Sequence, residues 1–277
     1  MKEKILAWCG KYLPKRPLAP SQLLPVAYVV VLAAVAMLGV RPAAQMVFGT
    51  LAQEEIVQAA DRKLPIYSVE TPYRQVALTF DAAWGADDTD TLLQILADNN
   101  VRASFFLCGT WVKQFPEEVR KLHEAGHDIG NHGDTHAHGA RLSLAQNKAE
   151  IQGAHDKVRD VIGVEMNLFR PPYGEYNNTV LEAAEALGYF TIQWDVDSHD
   201  WMNRGPEYQI NRVLNHKDLR NGSIILFHNG AKYTPQTLET IIRGLKEKGF
   251  ELVPVSELIH RENFRLDHTG RQHLNAP

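Results

Sequence analysis

The strongest constraint on the fold is the alternation of short apolar runs with stretches of helical period, which begins near Gln75. Repeated β-α units of this kind are typical of parallel strands joined by helices. The strand-like runs are VALTF, RASFFL, HDIGN, NLFR, FTIQW, SIILF and ELVPV. Seven such runs favour a distorted (β/α)7-type α/β barrel, closed or nearly closed, over an open sheet.

Helices are predicted between these runs, and polar residues follow several of them. The predicted helices cover residues 87–99, 110–125, 143–162, 178–187, 206–216 and 235–248. In a parallel α/β barrel the carboxyl ends of the strands open onto one face, so polar residues far apart in sequence meet there. The pattern therefore predicts an enzyme.

The N-terminal part has a different character. Residues 23–40 carry no charge and are long enough to cross a bilayer core, and basic residues precede them. This predicts a cytoplasmic leader at 1–22, one transmembrane helix at 23–40 and a cell-membrane protein whose remaining chain is extracytoplasmic. A cleaved signal peptide is the alternative, since Ala43 and Ala44 are small, but Arg41 and the long leader favour an uncleaved anchor.

The rest of the chain divides into three predicted parts. Residues 41–74 are interpreted as a connector, 75–260 as the barrel domain and 261–277 as a polar, frayed tail. A net charge of -4 argues against a nucleic-acid partner, which requires a concentrated basic surface. The oligomeric state is not predicted.

Two histidines in the stretch NHGDTH are the first candidate functional residues. His132 and His136 are four positions apart, so they reach one metal ion if the segment turns helically. Such a pair is also typical of a solvated surface. Asp134 and His138 enlarge the set of potential ligands without selecting among them.

Other polar residues stand at predicted strand ends. Asp81 follows VALTF, where its carboxylate either projects into a cleft or caps a turn. Arg170 precedes two prolines that rigidify its loop, and it either holds a carboxylate such as Asp81 or forms a surface ion pair. His228 is either a core histidine or a general acid, and a general acid needs a carboxylate partner, for which Asp200 is the natural candidate.

These segments together match a known family. From about Gln75 to Ile259 the sequence resembles the polysaccharide deacetylases, the NodB-homology group of carbohydrate esterase family 4, in its motifs TFD, HxxxH, RPPY, DSxDW and LxH. Five motifs in this order are far more specific than any one of them. The predicted anchor and the TFDxxWG form of the first motif resemble the sporulation-associated branch, often called PdaB-like.

The resemblance implies a metal-dependent N-deacetylase acting on an N-acetylated cell-wall polysaccharide, with peptidoglycan favoured. It implies that His132 and His136 bind a divalent metal, zinc foremost and cobalt or nickel in some members. It implies that Asp81 is the general base for the metal-bound water, and that Arg170 orients Asp81.

The resemblance also assigns the leaving-group side and the substrate pocket. Asp200 is implied to hold His228 protonated, so that His228 donates a proton to the leaving amine. The backbone amide of Tyr173 is implied to stabilise the oxyanion, and Trp201 and Leu226 to wall the acetyl pocket.

One position departs from the family pattern. The first motif of the family usually reads TFDD, and its second aspartate is the third metal ligand, where this chain has Ala82. Catalytic zinc sites normally keep three protein ligands. The alternative function is therefore a catalytically weak or inactive glycan-binding homologue, unless Asp87, Asp88 or Asp134 supplies the oxygen.

Overall fold

The computed structural model describes residues 62–275. The predicted leader, the predicted transmembrane helix at 23–40 and residues 41–61 of the predicted connector lie outside this range. Between residues 62 and 275, no helix combines the length and the apolar character needed to cross a membrane.

Strands and helices alternate over most of the described residues, as the sequence predicted, although some successive elements are of the same kind. The strands are β1 (Ser68–Val69), β2 (Gln75–Ala82), β3 (Ser104–Leu107), β4 (Asp128–Asn131), β5 (Leu168–Phe169), β6 (Phe190–Thr191), β7 (Val196–Asp197), β8 (Ile224–His228), β9 (Glu251–Leu252), β10 (Phe264–Leu266) and β11 (Arg271–Leu274). The helices are α1 (Thr89–Asp98), α2 (Gly109–Gln114), α3 (Pro116–Glu124), α4 (Leu144–Ile162), α5 (Asn178–Ala186), α6 (Pro206–Leu214), α7 (Thr234–Glu247) and α8 (Val255–Leu258).

The main sheet is a curled, parallel half-barrel. Its strand order is β6-β5-β4-β3-β2-β8-β7, and β9 pairs with the start of β2. The parallel, seven-stranded α/β architecture is thus confirmed, but the sheet is a half-barrel instead of a closed barrel. The seven-strand path includes β7, which was not predicted, and the predicted ELVPV strand is β9, which lies off this path. Strands β6 and β7 do not pair with each other. The segment around β1 instead joins the end of β6 to the loop before β8, because Gln193 N donates to Ile66 O at 2.7 Å and Val69 N to Gly222 O at 2.9 Å.

The centre of the sheet is apolar because the middle strands are covered on both faces. Phe80 of β2 stacks against Phe105 of β3 and Phe227 of β8, with ring centroids 4.8 and 5.5 Å apart. Aromatic pairs of this kind contribute about 0.5–1.5 kcal/mol each beyond the area they bury. The stacked rings therefore pack three neighbouring strands together, and two of these strands, β2 and β8, carry candidate site residues at their carboxyl ends.

Helix α4 shows how local sequence sets the outer layer. The helix begins with a capping box at Ser143. The Ser143 hydroxyl accepts a hydrogen bond from Gln146 N, and the Gln146 side-chain oxygen accepts one from Ser143 N. Gly163 ends it in a left-handed conformation, φ 71°. The buried face of the helix, which includes Ile151 and Val158, packs on the sheet side.

One predicted helix is wrong in detail. Residues 110–125 form two helices, α2 and α3, instead of one. The break falls at Phe115, whose φ of -128° and ψ of 55° are not helical, because Pro116 restricts the residue before it.

The folded domain is larger than the predicted range 75–260. On the N-terminal side, Ile66 and Val69 are buried, so the end of the predicted connector belongs to the domain. On the C-terminal side the prediction of a frayed tail is wrong, because β10 and β11 form a hairpin whose Gln272 is fully buried. Strand β11 pairs in parallel with β1, which joins both additions into a small second sheet.

Candidate active site

Asp81 and His228 lie next to each other at the carboxyl ends of two paired strands. The parallel register of β2 and β8 pairs these two residues directly. Asp81 is buried, with 6% of its surface exposed, and its carboxylate reaches the cleft that opens above the strand ends. Because parallel strands place their ends on one edge, two polar residues far apart in sequence become neighbours here.

Arg170 fixes the position of the Asp81 carboxylate. Arg170 Nη1 donates to Asp81 Oδ1 at 2.8 Å and to Thr79 Oγ1 at 2.9 Å, while Nη2 donates to Gln193 O at 3.1 Å. The guanidinium is fully buried and lies over the Phe106 ring, 4.2 Å from its centroid. The pair is therefore a buried clamp, and the alternative of a surface ion pair is wrong.

The same pair sets the protonation state of Asp81. Burial is the largest influence and acts to raise the pKa of the carboxyl, but the charge and hydrogen bond of Arg170, together with the neighbouring His132 and His228, leave the pKa below its ordinary value. Asp81 is consequently ionised at neutral pH.

His132 and His136 meet through a turn rather than through a helix. The segment between them has no helical residues, and Gly133 and His136 adopt left-handed backbone conformations with φ of 73° and 60°. Their ring centroids are 5.0 Å apart. The predicted proximity is present, whereas the helical turn assumed for it is not.

His132 is oriented by a backbone group. Its Nδ1 lies 2.8 Å from Arg170 O, and because a carbonyl only accepts, Nδ1 donates and Nε2 is free to act as a ligand. Nε2 lies 3.7 Å from Asp81 Oδ2. Burial lowers the pKa of His132, so the ring is neutral, as a metal ligand must be.

His136 has an unusual environment for an imidazole. Its Nδ1 is buried and has no hydrogen-bond partner within the described residues. Burial, with a contribution from His132, lowers the pKa of His136 to about 4. Its ring makes edge-to-face contacts with Trp84 and Tyr173, whose ring centroids lie 4.7 and 4.5 Å from its own.

The residues present match two ligands of the implied metal site and do not complete a third. Ala82 is 1% exposed, packs in the hydrophobic core and carries no donor atom. No group of three or more His, Cys, Asp or Glu side chains suited to one metal ion occurs in the described range. Within residues 62–275, the three-ligand centre that the resemblance implies is therefore incomplete.

The three aspartates considered as substitutes do not fill the gap. Asp134 pairs with Lys157 of α4. Asp88 Oδ2 accepts from Gly230 N at 2.7 Å, and Asp87 is exposed.

Asp200 holds His228 as the sequence predicted. Asp200 Oδ1 lies 2.7 Å from His228 Nδ1, and Asp200 Oδ2 accepts from His228 N at 2.7 Å and from Thr234 Oγ1 at 2.9 Å. Burial opposes protonation of His228, but the bond and charge of Asp200 prevail, and the pKa is raised. His228 is thus suited to donate a proton at neutral pH.

The remaining acidic residues of the WDVDSHDW loop have partners of their own. Asp195 accepts from Ile224 N at 3.0 Å and from Ser223 Oγ at 3.1 Å, and burial raises its pKa to about 7. Asp197 Oδ1 accepts from His199 N at 2.8 Å. Both carboxylates therefore have hydrogen-bond partners.

A cleft of about 640 Å³ lies above these groups. Leu226 forms part of its wall and is only 2% exposed, whereas Tyr173 and Trp201 are 53% and 56% exposed at its edge. Tyr173 has a left-handed backbone, φ 61°, next to Pro172. The predicted substrate-binding residues are thus collected around one cleft, together with the predicted metal and acid–base residues that line it or support it.

Among the cleft residues that were not predicted from the sequence are Trp84 and Lys232. Trp84 entered the prediction only as the tryptophan of the TFDxxWG motif. A tryptophan three residues after Asp81, at a predicted strand end, was the available signal for the first, and the structure leaves its side chain 61% exposed. No local pattern marked the second.

Comparison with known proteins agrees with this arrangement. The family profile described as polysaccharide deacetylase matches residues 68–192. YlxY of Bacillus subtilis is 32% identical over 195 residues, which cover 70% of this chain and 60% of YlxY. A peptidoglycan-N-acetylglucosamine deacetylase of Bacillus cereus is 34% identical over 189 residues, which cover 66% of this chain and 87% of that protein.

Solved structures give the same result. A CE4 family pseudoenzyme from Bacillus anthracis is 31% identical with a TM-score of 0.68, covering 70% of this chain and 68% of that chain. A mutant of that protein with restored enzymatic activity is 32% identical with a TM-score of 0.68, covering 70% and 71%. The chain is therefore similar both to a deacetylase and to a pseudoenzyme.

Proposed function

Because this chain belongs to the polysaccharide deacetylase family, carbohydrate esterase family 4, we propose that it hydrolyses acetamido groups of an N-acetylated cell-wall polysaccharide. The observation that carries the proposal is that Asp81, whose pKa is lowered, and His228, whose pKa is raised, are paired on adjacent strands beside one cleft. Pairs of titratable groups held in opposite protonation states are typical of acid–base catalysis.

In the proposed reaction, water attacks the acetamide carbonyl carbon while Asp81 accepts a proton from that water. Arg170 keeps the carboxylate ionised and in place. The carbon–nitrogen bond then breaks, and His228 donates its proton to the leaving nitrogen, which gives acetate and a free amine. Asp200 holds His228 in position for this step.

Two further groups assist in the proposal. The backbone amide of Tyr173 stabilises the negative charge on the carbonyl oxygen, and Trp201 and Leu226 enclose the acetyl group. His132 and His136 are the residues that would hold a divalent metal ion, with zinc favoured. When bound, such an ion would polarise the amide carbonyl.

The test uses the purified full chain with N-acetylglucosamine oligomers and with peptidoglycan, in the presence of zinc, cobalt or nickel. We expect acetate release that is lost in Asp81→Asn and in His228→Ala. Absence of acetate under all three metals would refute the proposal.

A second function is favoured by one observation, the alanine at the third ligand position. In this alternative the chain binds glycan without hydrolysing it, as a pseudoenzyme of the same fold. Glycan binding that persists in Asp81→Asn and His228→Ala, without acetate release from the wild type, would establish it.

We also propose that the protein is a single-pass protein of the cytoplasmic membrane, anchored by residues 23–40, with its catalytic domain outside the cytoplasm and peptidoglycan as its substrate. The uncharged segment and the preceding basic residues support the anchor. The names of relatives that deacetylate peptidoglycan and the PdaB-like form of the first motif support the substrate and a role in sporulation. Protease treatment of spheroplasts tests the orientation, since external protease should digest the domain.

A further inference from the structure

Two loops at one side of the cleft are joined by hydrogen bonds that the loop after β8 donates to the end of β2 and the loop after it. Asn229 Nδ2 donates to Gly85 O at 2.7 Å, and Gly230 N donates to Asp88 Oδ2 at 2.7 Å. Asn229 N also donates to Asp81 O at 3.2 Å. The loop after β2 and the loop after β8 therefore form one unit.

This unit brings Trp84 and Lys232 to the same border of the cleft. Both residues line it, and the Trp84 indole is 61% exposed. Gly230 has φ of 71° and lies so close to the Trp84 backbone that a Cβ there would be 3.0 Å from Trp84 O. The tight approach requires glycine and keeps the two loops in contact.

Lys232 is the cleft cation that lacks a carboxylate partner. Asp81 is paired with Arg170, and Asp200 with His228. No carboxylate of the described residues lies within 4.0 Å of Lys232 Nζ, which is 5.0 Å from the Tyr233 ring centroid. The ammonium group is thus exposed at the cleft border with its charge available to a ligand.

We propose that Trp84 and Lys232 form a subsite for a carboxylate-bearing sugar unit of the glycan. The exposed indole packs against the apolar face of the sugar ring, and the ammonium pairs with the carboxylate. The inference rests on the proposed function, whose substrate class it narrows to an anionic N-acetylated glycan. The carboxylate belongs either to a lactyl ether on the sugar or to a peptide attached to it.

The experiment measures binding rather than turnover, by titration calorimetry with the full chain. Three ligands are compared: a neutral N-acetylglucosamine oligomer, an oligomer that alternates N-acetylglucosamine with N-acetylmuramic acid, and the latter with its peptide attached. We expect tighter binding of a carboxylate-bearing ligand than of the neutral one. Preference for the peptide-free form identifies the lactyl carboxylate, and preference for the peptide form identifies the peptide carboxylate.

Two variants separate the roles of the two residues. Lys232→Met should weaken binding of the preferred anionic ligand about fivefold, the equivalent of roughly 1 kcal/mol, and leave the neutral oligomer unchanged. Trp84→Ala should weaken both ligands. Lys217→Met is the matched control, because Lys217 is 86% exposed, lies outside the cleft and should have no effect on either ligand.

The inference is overturned if the wild type binds neutral and anionic ligands equally or binds neither. It is also overturned if Lys232→Met weakens both ligands alike. Failure of the proposed function is a separate result, since anionic preference without acetate release refutes hydrolysis alone, and acetate release without anionic preference refutes the subsite alone.

Discussion

The acid–base side of the cleft and the histidine side differ in how completely their polar groups are satisfied. On the first side, Asp81 and His228 each have a buried, hydrogen-bonded partner of opposite charge. On the second side, His136 Nδ1 has no partner within the described range, and the neighbouring position holds an apolar Ala82. The difference shows that Asp81 and His228 are held by buried partners, whereas on the histidine side His132 is oriented by a backbone carbonyl and the His136 ring has no polar partner at Nδ1 among the described residues.

The largest effect is expected from removing the buried cation of the acid–base side. Arg170→Met leaves Asp81 buried without its counter-charge, and breaking such a pair costs about 3–5 kcal/mol. Urea unfolding measures the loss. Arg159→Met is the control, since the ion pair of Arg159 with Asp156 is exposed and should contribute little to stability. An equal loss of unfolding free energy in both variants would show that the buried Arg170 pair is no more important than an exposed one.

Completing the histidine side should change metal binding. Ala82→Asp adds the missing oxygen ligand, and we expect zinc affinity to rise by at least about tenfold, or roughly 1.4 kcal/mol. Because Ala82 lies in the hydrophobic core, the metal-free variant should melt below the wild type, and added zinc should recover the loss. Calorimetric titration and thermal melts test this, with Ala82→Asn as the control. Unchanged affinity in Ala82→Asp would show that the alanine is not the limiting feature.

A change of pH should act on the acid–base side in a defined direction. The pKa of His228 is raised in the folded state, so its stabilising contribution is full below the unfolded value of about 6.5 and is lost as pH rises through the folded value. Asp200→Asn should lower the pKa of His228 and flatten this dependence.

Titration of the imidazole signals by NMR and unfolding at several pH values measure both effects. His127, whose burial lowers its pKa to about 4, should be unaffected and serves as an internal control. A His228 midpoint that does not move in Asp200→Asn would exclude Asp200 as the cause.

The smallest effect is expected at Asp134, which lies between the two histidines in sequence. Its carboxylate pairs with Lys157, so Asp134→Asn should leave zinc affinity unchanged and cost on the order of 1 kcal/mol in unfolding. A fall in zinc affinity would mean that the incomplete side recruits this carboxylate.

The sequence predicted the acid–base side well because its residues follow long, apolar strands. Asp81 and His228 end the well-defined strands β2 and β8, and the order of the motifs supplied their partners. The histidine side was predicted less well, since His136 adopts a left-handed conformation that its residue type does not indicate. Gly133 was the available signal for a turn there.

The parts of the fold that were missed depend on contacts distant in sequence. Strand β1 has two residues, and its partner β11 lies at the other end of the domain, so neither has a local apolar pattern. Gln272 is buried because its side chain and the backbone of His260 bond in both directions, which no periodicity reveals. The break between α2 and α3, by contrast, could have been predicted from Pro116, because a proline disfavours helical conformation in the residue before it.

The pairing of β1 with β11 has a consequence for how the protein is made. During translation Ser68 emerges from the ribosome long before Arg271, with which it is in register. Strand β1 therefore cannot pair with β11 until nearly the whole domain has been synthesised, and closing so large a loop is slow. We expect the small second sheet to form last, after the C-terminal hairpin has been synthesised.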